Sequence, residues 1–91
     1  MLPVVWKASA RARVRETIDY ISDFNEPASV QLEADLHHSV DRLAGFPHIG
    51  RPGRIEGTRE FILQPNYLIV YCVTDSSIQI LNFLHARRRY P

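Results

Sequence analysis

The sequence predicts a small α+β domain in which an antiparallel helical hairpin lies across one face of a mostly antiparallel sheet. Apolar residues recur with a helical period between residues 9 and 44, with one break near residue 26. Three short apolar runs follow residue 58, and the tight turns between them require antiparallel pairing. The chain has 91 residues, a length typical of one domain, so residues 1–91 are interpreted as a single domain.

The first predicted elements are a strand and a helix. The strand covers residues 2–7, where Val4, Val5 and Trp6 suit a pleated, partly buried surface. The helix follows with Ser9 as its predicted N-cap. Its predicted apolar face, at steps of three and four residues, consists of Ala10, Val14, Ile18, Ile21 and Phe24.

A second helix is predicted to begin at Asn25-Glu26-Pro27. Asn25 or Glu26 can cap a helix, and Pro27 suits its first turn. Gly45 marks the predicted end of this helix. Its apolar face consists of Ala28, Leu32, Leu36, Val40 and Leu43. So short a connection between two helices predicts an antiparallel hairpin.

The second half of the chain predicts a loop and then a meander of strands. Residues 45–58 are rich in Gly and Pro and show no helical period, with a brief strand predicted near Ile55. Strands are predicted over residues 58–63, 67–73 and 78–84. The middle one is nearly all apolar, which is typical of a central strand.

Composition excludes several classes of protein. The longest apolar run, Leu68 to Val73, is far shorter than the roughly 18 residues of a membrane-spanning helix. The first residues lack the basic segment of a signal peptide. The single cysteine, Cys72, lies in a strand pattern and is interpreted as a buried thiol. These features predict a cytoplasmic protein without membrane attachment.

Metal and nucleophile sites are not predicted. His37 and His38 are adjacent on a helix and point about 100° apart, so they cannot share one ion from one face. No Cys/His spacing matches a zinc site, and no serine has the context of a nucleophile elbow. We therefore expect neither a metal nor a cofactor.

Charge is unevenly distributed along the chain. Residues 1–45 hold five Lys/Arg against seven Asp/Glu, whereas residues 46–91 hold six Arg against three acids. Such an imbalance favours an acidic partner near the C-terminal half.

The arginines and aromatic residues near the strand ends form the candidate target-binding set. Its members are Arg59, His85, Arg87, Arg88, Arg89 and Tyr90. We expect Arg59 and Arg87 to converge at one edge of the sheet, where their guanidinium groups would bind phosphate or carboxylate. The alternative is a solvated basic tail, with Arg59 in an ion pair with Glu56 or Asp75.

The order of these features resembles a known family. The motifs are a first strand ending in Trp6, Ile18-Asp19-Tyr20-Ile21, the loop Leu43…Pro47…Gly50-Arg51, Gly57-Thr58-Arg59-Glu60-Phe61, Tyr67-Leu68-Ile69-Val70-Tyr71 and His85-Ala86-Arg87-Arg88. Together they resemble toxins of the RelE/ParE superfamily of bacterial type II toxin–antitoxin modules, and they are more similar to ParE-type chains.

The resemblance implies one of two targets. RelE-type members cut mRNA at the ribosome, whereas ParE-type members act on DNA gyrase and block replication. RelE-type chains usually have an arginine where this chain has Leu68, and no lysine follows Lys7. The resemblance therefore implies a gyrase inhibitor that causes growth arrest without covalent chemistry. An mRNA endonuclease is the alternative, with Arg59, His85, Arg87 and Tyr90 as catalytic residues, and a non-toxic partner-binding member is a third possibility.

The resemblance also implies a cognate antitoxin that is small, acidic and DNA-binding. It would bury apolar surface of the helical hairpin at Val14, Ile18, Leu36 and Val40. Its acidic tail would bind Arg51 and Arg54, and it would add a strand to a sheet edge.

Overall fold

A computed structural model describes residues 1–63 and 66–87 and confirms the predicted α+β fold. In chain order the elements are β1 (Val4–Trp6), α1 (Ala8–Phe24), α2 (Glu26–Gly45), β2 (Arg51–Pro52), β3 (Arg59–Leu63), β4 (Tyr67–Val73) and β5 (Ile78–His85). The five strands form one sheet in the order β1-β5-β4-β3-β2. β1 pairs with β5 in parallel, and the remaining neighbours are antiparallel.

Helix α1 begins directly after Lys7, the last residue of the N-terminal segment that bonds to β5. The Lys7 N–H donates to the Ile80 carbonyl, and the Lys7 carbonyl accepts from the N–H groups of Ala10 and Arg11. Lys7 is therefore the N-cap, without a side-chain hydrogen bond, and the prediction of Ser9 at this position is wrong. The predicted burial of Phe24 is also wrong. Its ring lies at the tip of the hairpin and packs on Tyr20 instead of the core.

Helix α2 begins as predicted. The Asn25 side chain accepts a hydrogen bond from the Ala28 N–H, and proline lies in the first turn. Ala28 itself is exposed, contrary to prediction, and Ser29 is buried beside it. The Ser29 hydroxyl donates to the Glu26 carbonyl, which allows a polar residue on the buried face.

The main core lies between the helical hairpin and one face of the sheet. Its largest fully buried side chains are Tyr71, Phe83, Leu43, Ile69, Ile78 and Ile80. A second buried cluster on the opposite face joins Leu68, Val70 and Leu84. β4 is therefore buried on both faces, as its apolar sequence predicts.

The short strand in the long loop differs from the prediction. It covers Arg51–Pro52, which pair with Glu60 and Arg59. Ile55 lies in the following turn and is exposed, because the Gly53 N–H bonds to the Thr58 carbonyl and closes the hairpin there. Gly57 has a φ of +86° in this turn, a conformation that favours glycine. No helix in the described residues is long and apolar enough to cross a membrane.

Candidate functional site

A groove between α1 and α2 contains all four residues predicted as apolar partner contacts. Val14 and Ile18 line it from α1, and Leu36 and Val40 line it from α2. They lie together because each pair is spaced by four residues, which places both members on the same helix face. The antiparallel hairpin then brings the two faces opposite each other. These four apolar residues, which come from two separate helices, therefore form one continuous surface.

Charged side chains and one aromatic ring border this groove. Trp6 of β1 lies at one end, with the Arg11 guanidinium 5.8 Å from the centroid of its ring. Arg15 follows along α1, while Asp19 and Glu33 lie towards the tip of the hairpin. The apolar floor with a charged border is the arrangement found where an amphipathic segment binds. The apolar periodicity of the helices did not predict that Trp6 and its charged neighbours border the groove.

Arg51 and Arg54 lie away from the groove. Arg51 is on β2, at the opposite sheet edge from β1, so the predicted partner contacts form two separate sets. The Arg51 Nε donates to the Glu60 Oε1 at 2.9 Å. The Glu60 side chain is only 5% exposed, and its Oε2 has no hydrogen-bond partner among the residues that the structure describes. Arg54 lies in the turn that follows β2.

Arg59 holds the loop between α2 and β2. Its Nη1 donates to the carbonyls of Gly50 at 2.7 Å and His48 at 3.3 Å. The Tyr71 hydroxyl donates to the Pro47 carbonyl at 2.8 Å and accepts from the Gly50 N–H at 2.9 Å. Two side chains from neighbouring strands therefore fix residues 47–50 by four hydrogen bonds. This contact of Arg59 differs from the ion pair with Glu56 or Asp75 that the sequence left open.

The expected convergence of Arg59 and Arg87 is wrong. Arg59 pairs with Tyr71 at the end of β4, whereas His85 pairs with Tyr67 at its beginning. Two successive antiparallel turns return the chain to its first direction, so β5 ends beside the end of β3 and not beside its start. Arg59 and the last residues of β5 therefore lie at opposite ends of the sheet.

The end of β5 forms a small polar and aromatic cluster of its own. The Tyr67 ring stacks on Phe83 with 5.3 Å between centroids and meets the edge of His85 at 5.6 Å. The exposed Arg87 donates its backbone N–H to His85 Nδ1 at 3.2 Å. The other predicted target contacts, Arg88, Arg89 and Tyr90, lie outside the described residues.

In residues 1–63 and 66–87 no group of His, Cys, Asp or Glu is arranged to hold a metal ion. Burial raises the pKa of the Tyr71 phenol, and the Gly50 N–H and the Arg59 charge act in the opposite direction. A tyrosine held neutral in this way serves as a structural hydrogen-bond donor. Cys72, predicted to be buried, is only partly buried.

The sheet face away from the helices has apolar residues at its centre. Leu68 is 3% exposed and packs with Val70 and Leu84. The position at which the resemblance to RelE-type chains implies an arginine is therefore part of a packed apolar cluster in this chain.

Sequence comparisons relate this chain to known toxins. A family model described as the ParE toxin of the type II toxin–antitoxin system parDE matches residues 4–90. The putative toxin Y4kP of Sinorhizobium fredii is 36% identical over 87 residues, covering 94% of this chain and 90% of that protein. Toxin RelE2 of Caulobacter vibrioides is 34% identical over 88 residues, covering 97% and 99%.

Solved structures share the fold at lower sequence identity. A chain of the chromosomal ParDE system from P. aeruginosa has a TM-score of 0.84 at 22% identity, covering 96% of this chain and 98% of that one. The YoeB/ParE toxin from Agrobacterium tumefaciens has a TM-score of 0.63 at 12% identity, covering 92% and 98%.

Proposed function

This chain belongs to the ParE toxin family of type II toxin–antitoxin systems, and we propose that it inhibits DNA gyrase in the cytoplasm until a small, acidic, DNA-binding antitoxin neutralises it. A type II toxin has a cognate antitoxin as its partner. Beyond family membership, we propose the target and the surfaces that bind the target and the antitoxin.

The groove between α1 and α2 carries the antitoxin part of this proposal. Its floor is apolar and its border is charged, so a partner segment would bury apolar surface and keep its own polar residues in solvent. Arg51, which is more than half exposed despite its contact with Glu60, offers a second contact for an acidic segment at the β2 edge. Arg54 lies in the adjoining turn.

The position of Leu68 supports gyrase over mRNA. A nuclease must stabilise the charge that develops on phosphate in the transition state, usually with preorganised cations. Leu68 is packed with two other apolar side chains, and Arg59 uses its guanidinium to hold backbone carbonyls. We assign target binding to His85, Arg87 and the following Arg88, Arg89 and Tyr90, and we assign Arg59 a supporting role in the loop.

The test is a pair of assays on the purified toxin. We expect it to inhibit supercoiling by gyrase and to leave mRNA intact on translating ribosomes. Full supercoiling activity at a large molar excess of folded toxin would refute the gyrase assignment. Growth arrest on expression, with a DNA-damage response and intact transcripts, is the corresponding result in cells.

A ribosome-dependent nuclease is the second candidate, and one contact favours it. The His85 ring accepts a hydrogen bond from the Arg87 backbone N–H, so an imidazole and a residue that carries a cation lie next to each other at one end of β5. This candidate predicts mRNA cleavage at the ribosomal A site that is lost in Arg87→Ala. Growth arrest with uncut transcripts would exclude it.

A further inference from the structure

We propose that the groove between α1 and α2 binds a helix of the antitoxin in one direction, with its acidic end at Trp6 and its basic end at the hairpin tip. The inference rests on the proposed antitoxin function and adds to it the chemistry and the direction of the bound segment. Its basis is the order of charges along the groove.

The charges along the groove change sign from one end to the other. Arg11, Arg15 and Asp19 are spaced by four residues and therefore follow one edge of α1. Glu33 lines the groove from α2 near Asp19, because the two helices are antiparallel. Eight residues of helix separate Arg11 from Asp19, which is about 12 Å. The groove thus has two guanidinium groups at the Trp6 end and two carboxylates at the tip.

These border charges are available to a partner. Among residues 1–63 and 66–87, no ion pair joins the arginines of the groove to Asp19 or Glu33. Arg11 contacts the face of Trp6, which leaves its N–H groups able to bind a carboxylate. An occupant with the opposite order of charges would place like charges together at both ends, which disfavours that direction.

A helix fits this groove better than an extended segment does. The floor consists of side chains from two helices, which accept a third helix by ridges-into-grooves packing. An extended segment would leave backbone N–H and C=O groups unpaired against Val14, Ile18 and Leu36. A helix satisfies these groups internally and presents apolar side chains at steps of three and four residues.

The test uses designed peptides and the natural fluorescence of the groove. Trp6 is the single tryptophan of the chain and lies at the basic end of the groove. Two stapled 14-residue amphipathic helices without tryptophan carry glutamates at one end and lysines at the other, in the two possible orders. Each is made with a dansyl acceptor at either end, and the ends are about 20 Å apart. Affinity and energy transfer from Trp6 are measured.

We expect both peptides to bind, with stronger energy transfer whenever the dansyl group is on the acidic end. In the variant Arg11→Glu, Arg15→Glu, Asp19→Lys, Glu33→Lys, the stronger transfer is expected from the basic end. The control Arg13→Glu, Glu16→Lys exchanges one charge of each sign outside the groove, also with no change in net charge, and is expected to behave like the wild type. The preference for one direction of binding over the other, taken from the energy transfer to the two ends, is expected to fall by about tenfold in near-molar salt. Exposed charges are screened under these conditions.

The outcomes separate this inference from the antitoxin proposal. Binding with equal energy transfer from both ends, or a preference that the charge exchange leaves unchanged, would overturn the direction and leave the groove as a binding site. If neither peptide binds a toxin that circular dichroism shows to be folded, the inferred direction and the assignment of the groove to the antitoxin are both overturned. A concentration-dependent dimer by sedimentation, abolished by Val40→Asp, would assign the groove to a second copy and likewise overturn the inference.

Discussion

At the scale of single residues, the Tyr71 hydroxyl connects the core to the loop between α2 and β2. It extends from β4, the central strand of the sheet, and bonds to backbone atoms 21 and 24 residues away in the sequence. Gly50 allows this contact, since a Cβ there would lie 2.6 Å from the Tyr71 hydroxyl and 2.7 Å from the Glu60 carbonyl oxygen. The loop conformation therefore depends on one hydroxyl and one missing side chain.

Replacing Tyr71 with phenylalanine is expected to lower the free energy of unfolding by about 1–3 kcal/mol. The buried Gly50 N–H would lose its acceptor and the Pro47 carbonyl would lose a donor, while the packing of the ring is kept. Urea unfolding measures the change. The exposed Tyr20→Phe is the matched control, with an expected change within about 0.5 kcal/mol. Equal stability of the two variants would contradict this role of the hydroxyl.

The same residue predicts a dependence on alkaline pH. Burial raises the folded-state pKa of Tyr71 above the ordinary value of 10.0, so the native state holds the phenol proton more tightly than the unfolded state does. The contribution of this residue is complete below the unfolded-state pKa and is lost as pH rises through the folded-state pKa. The stability difference between wild type and Tyr71→Phe should therefore shrink above about pH 10. A difference that is constant across this range in urea unfolding would refute the linkage.

Leu68 provides a residue-scale test of the apolar sheet face. Leu68→Arg would place a charge among Val70 and Leu84, and we expect a loss of about 3–5 kcal/mol, as for other unpaired buried charges. Ile62→Arg is the matched control, because Ile62 pairs with Leu68 in register but is 42% exposed. Thermal unfolding compares them. Near-native stability of Leu68→Arg, together with new mRNA cleavage, would show that the nuclease site needs only this arginine.

At the scale of elements, the sequence predicted those boundaries that local chemistry determines. The N-cap of α2 follows from an asparagine before a proline, and β4 follows from seven nearly apolar residues, both of which are local properties. Ser9 failed as an N-cap because pairing of Lys7 with β5 fixes the start of α1, and this contact spans 73 residues of sequence. The helix propensity of neighbouring residues gives no information about a contact with a residue so distant in the sequence.

The features of the candidate site also divide into those that the sequence predicts and those that it does not. The apolar groove was predictable, since helical spacing and a short connection suffice to bring its four residues together. The direction of strands after two turns was also deducible, and it separates Arg59 from His85. The hydrogen bonds of Arg59 to the loop carbonyls were not deducible, because they depend on how residues 47–50 fold back on the sheet.

The cap of α2 gives a prediction at this scale. Asn25→Ala is expected to lower the free energy of unfolding by about 1 kcal/mol, because the Ala28 N–H loses its acceptor at the tip of the hairpin. Chemical denaturation measures it. Gln31→Ala is a control on the same helix, since it removes only an exposed hydrogen bond to Asp35. A larger loss in the Gln31 variant than in the Asn25 variant would argue against the cap.

At the scale of the whole molecule, the groove and the end of β5 are separate surfaces. Trp6 pairs with Ile80, and His85 lies five residues further along β5, about 17 Å away. We therefore expect antitoxin binding and target binding to be separable by mutation. An antitoxin bound in the groove would then act without contacting the side chains that bind the target. It would cover the target-binding surface, displace the target or hold the toxin away from the target.

Two substitutions test this separation. Val40→Asp is expected to weaken neutralisation by a co-expressed antitoxin at least tenfold and to keep toxicity, because it places a charge on the groove floor. Arg87→Glu is expected to reduce toxicity and keep antitoxin binding. Growth assays and pull-down of the pair measure both effects. Loss of both properties in one soluble, folded variant would indicate a single shared surface.

The parallel pairing of β1 with β5 also determines when the protein can fold. β1 pairs with β5, the last strand of the sheet to be synthesised, whereas α1 packs on both α2 and β5, so β1 has no partner and α1 has only α2 until β5 is made. A growing or prematurely released chain without β5 lacks the neighbour of β1 and one of the two elements on which α1 packs. The sheet can therefore close only after β5 has been synthesised, so β1 waits for the strand that follows it last in the sheet.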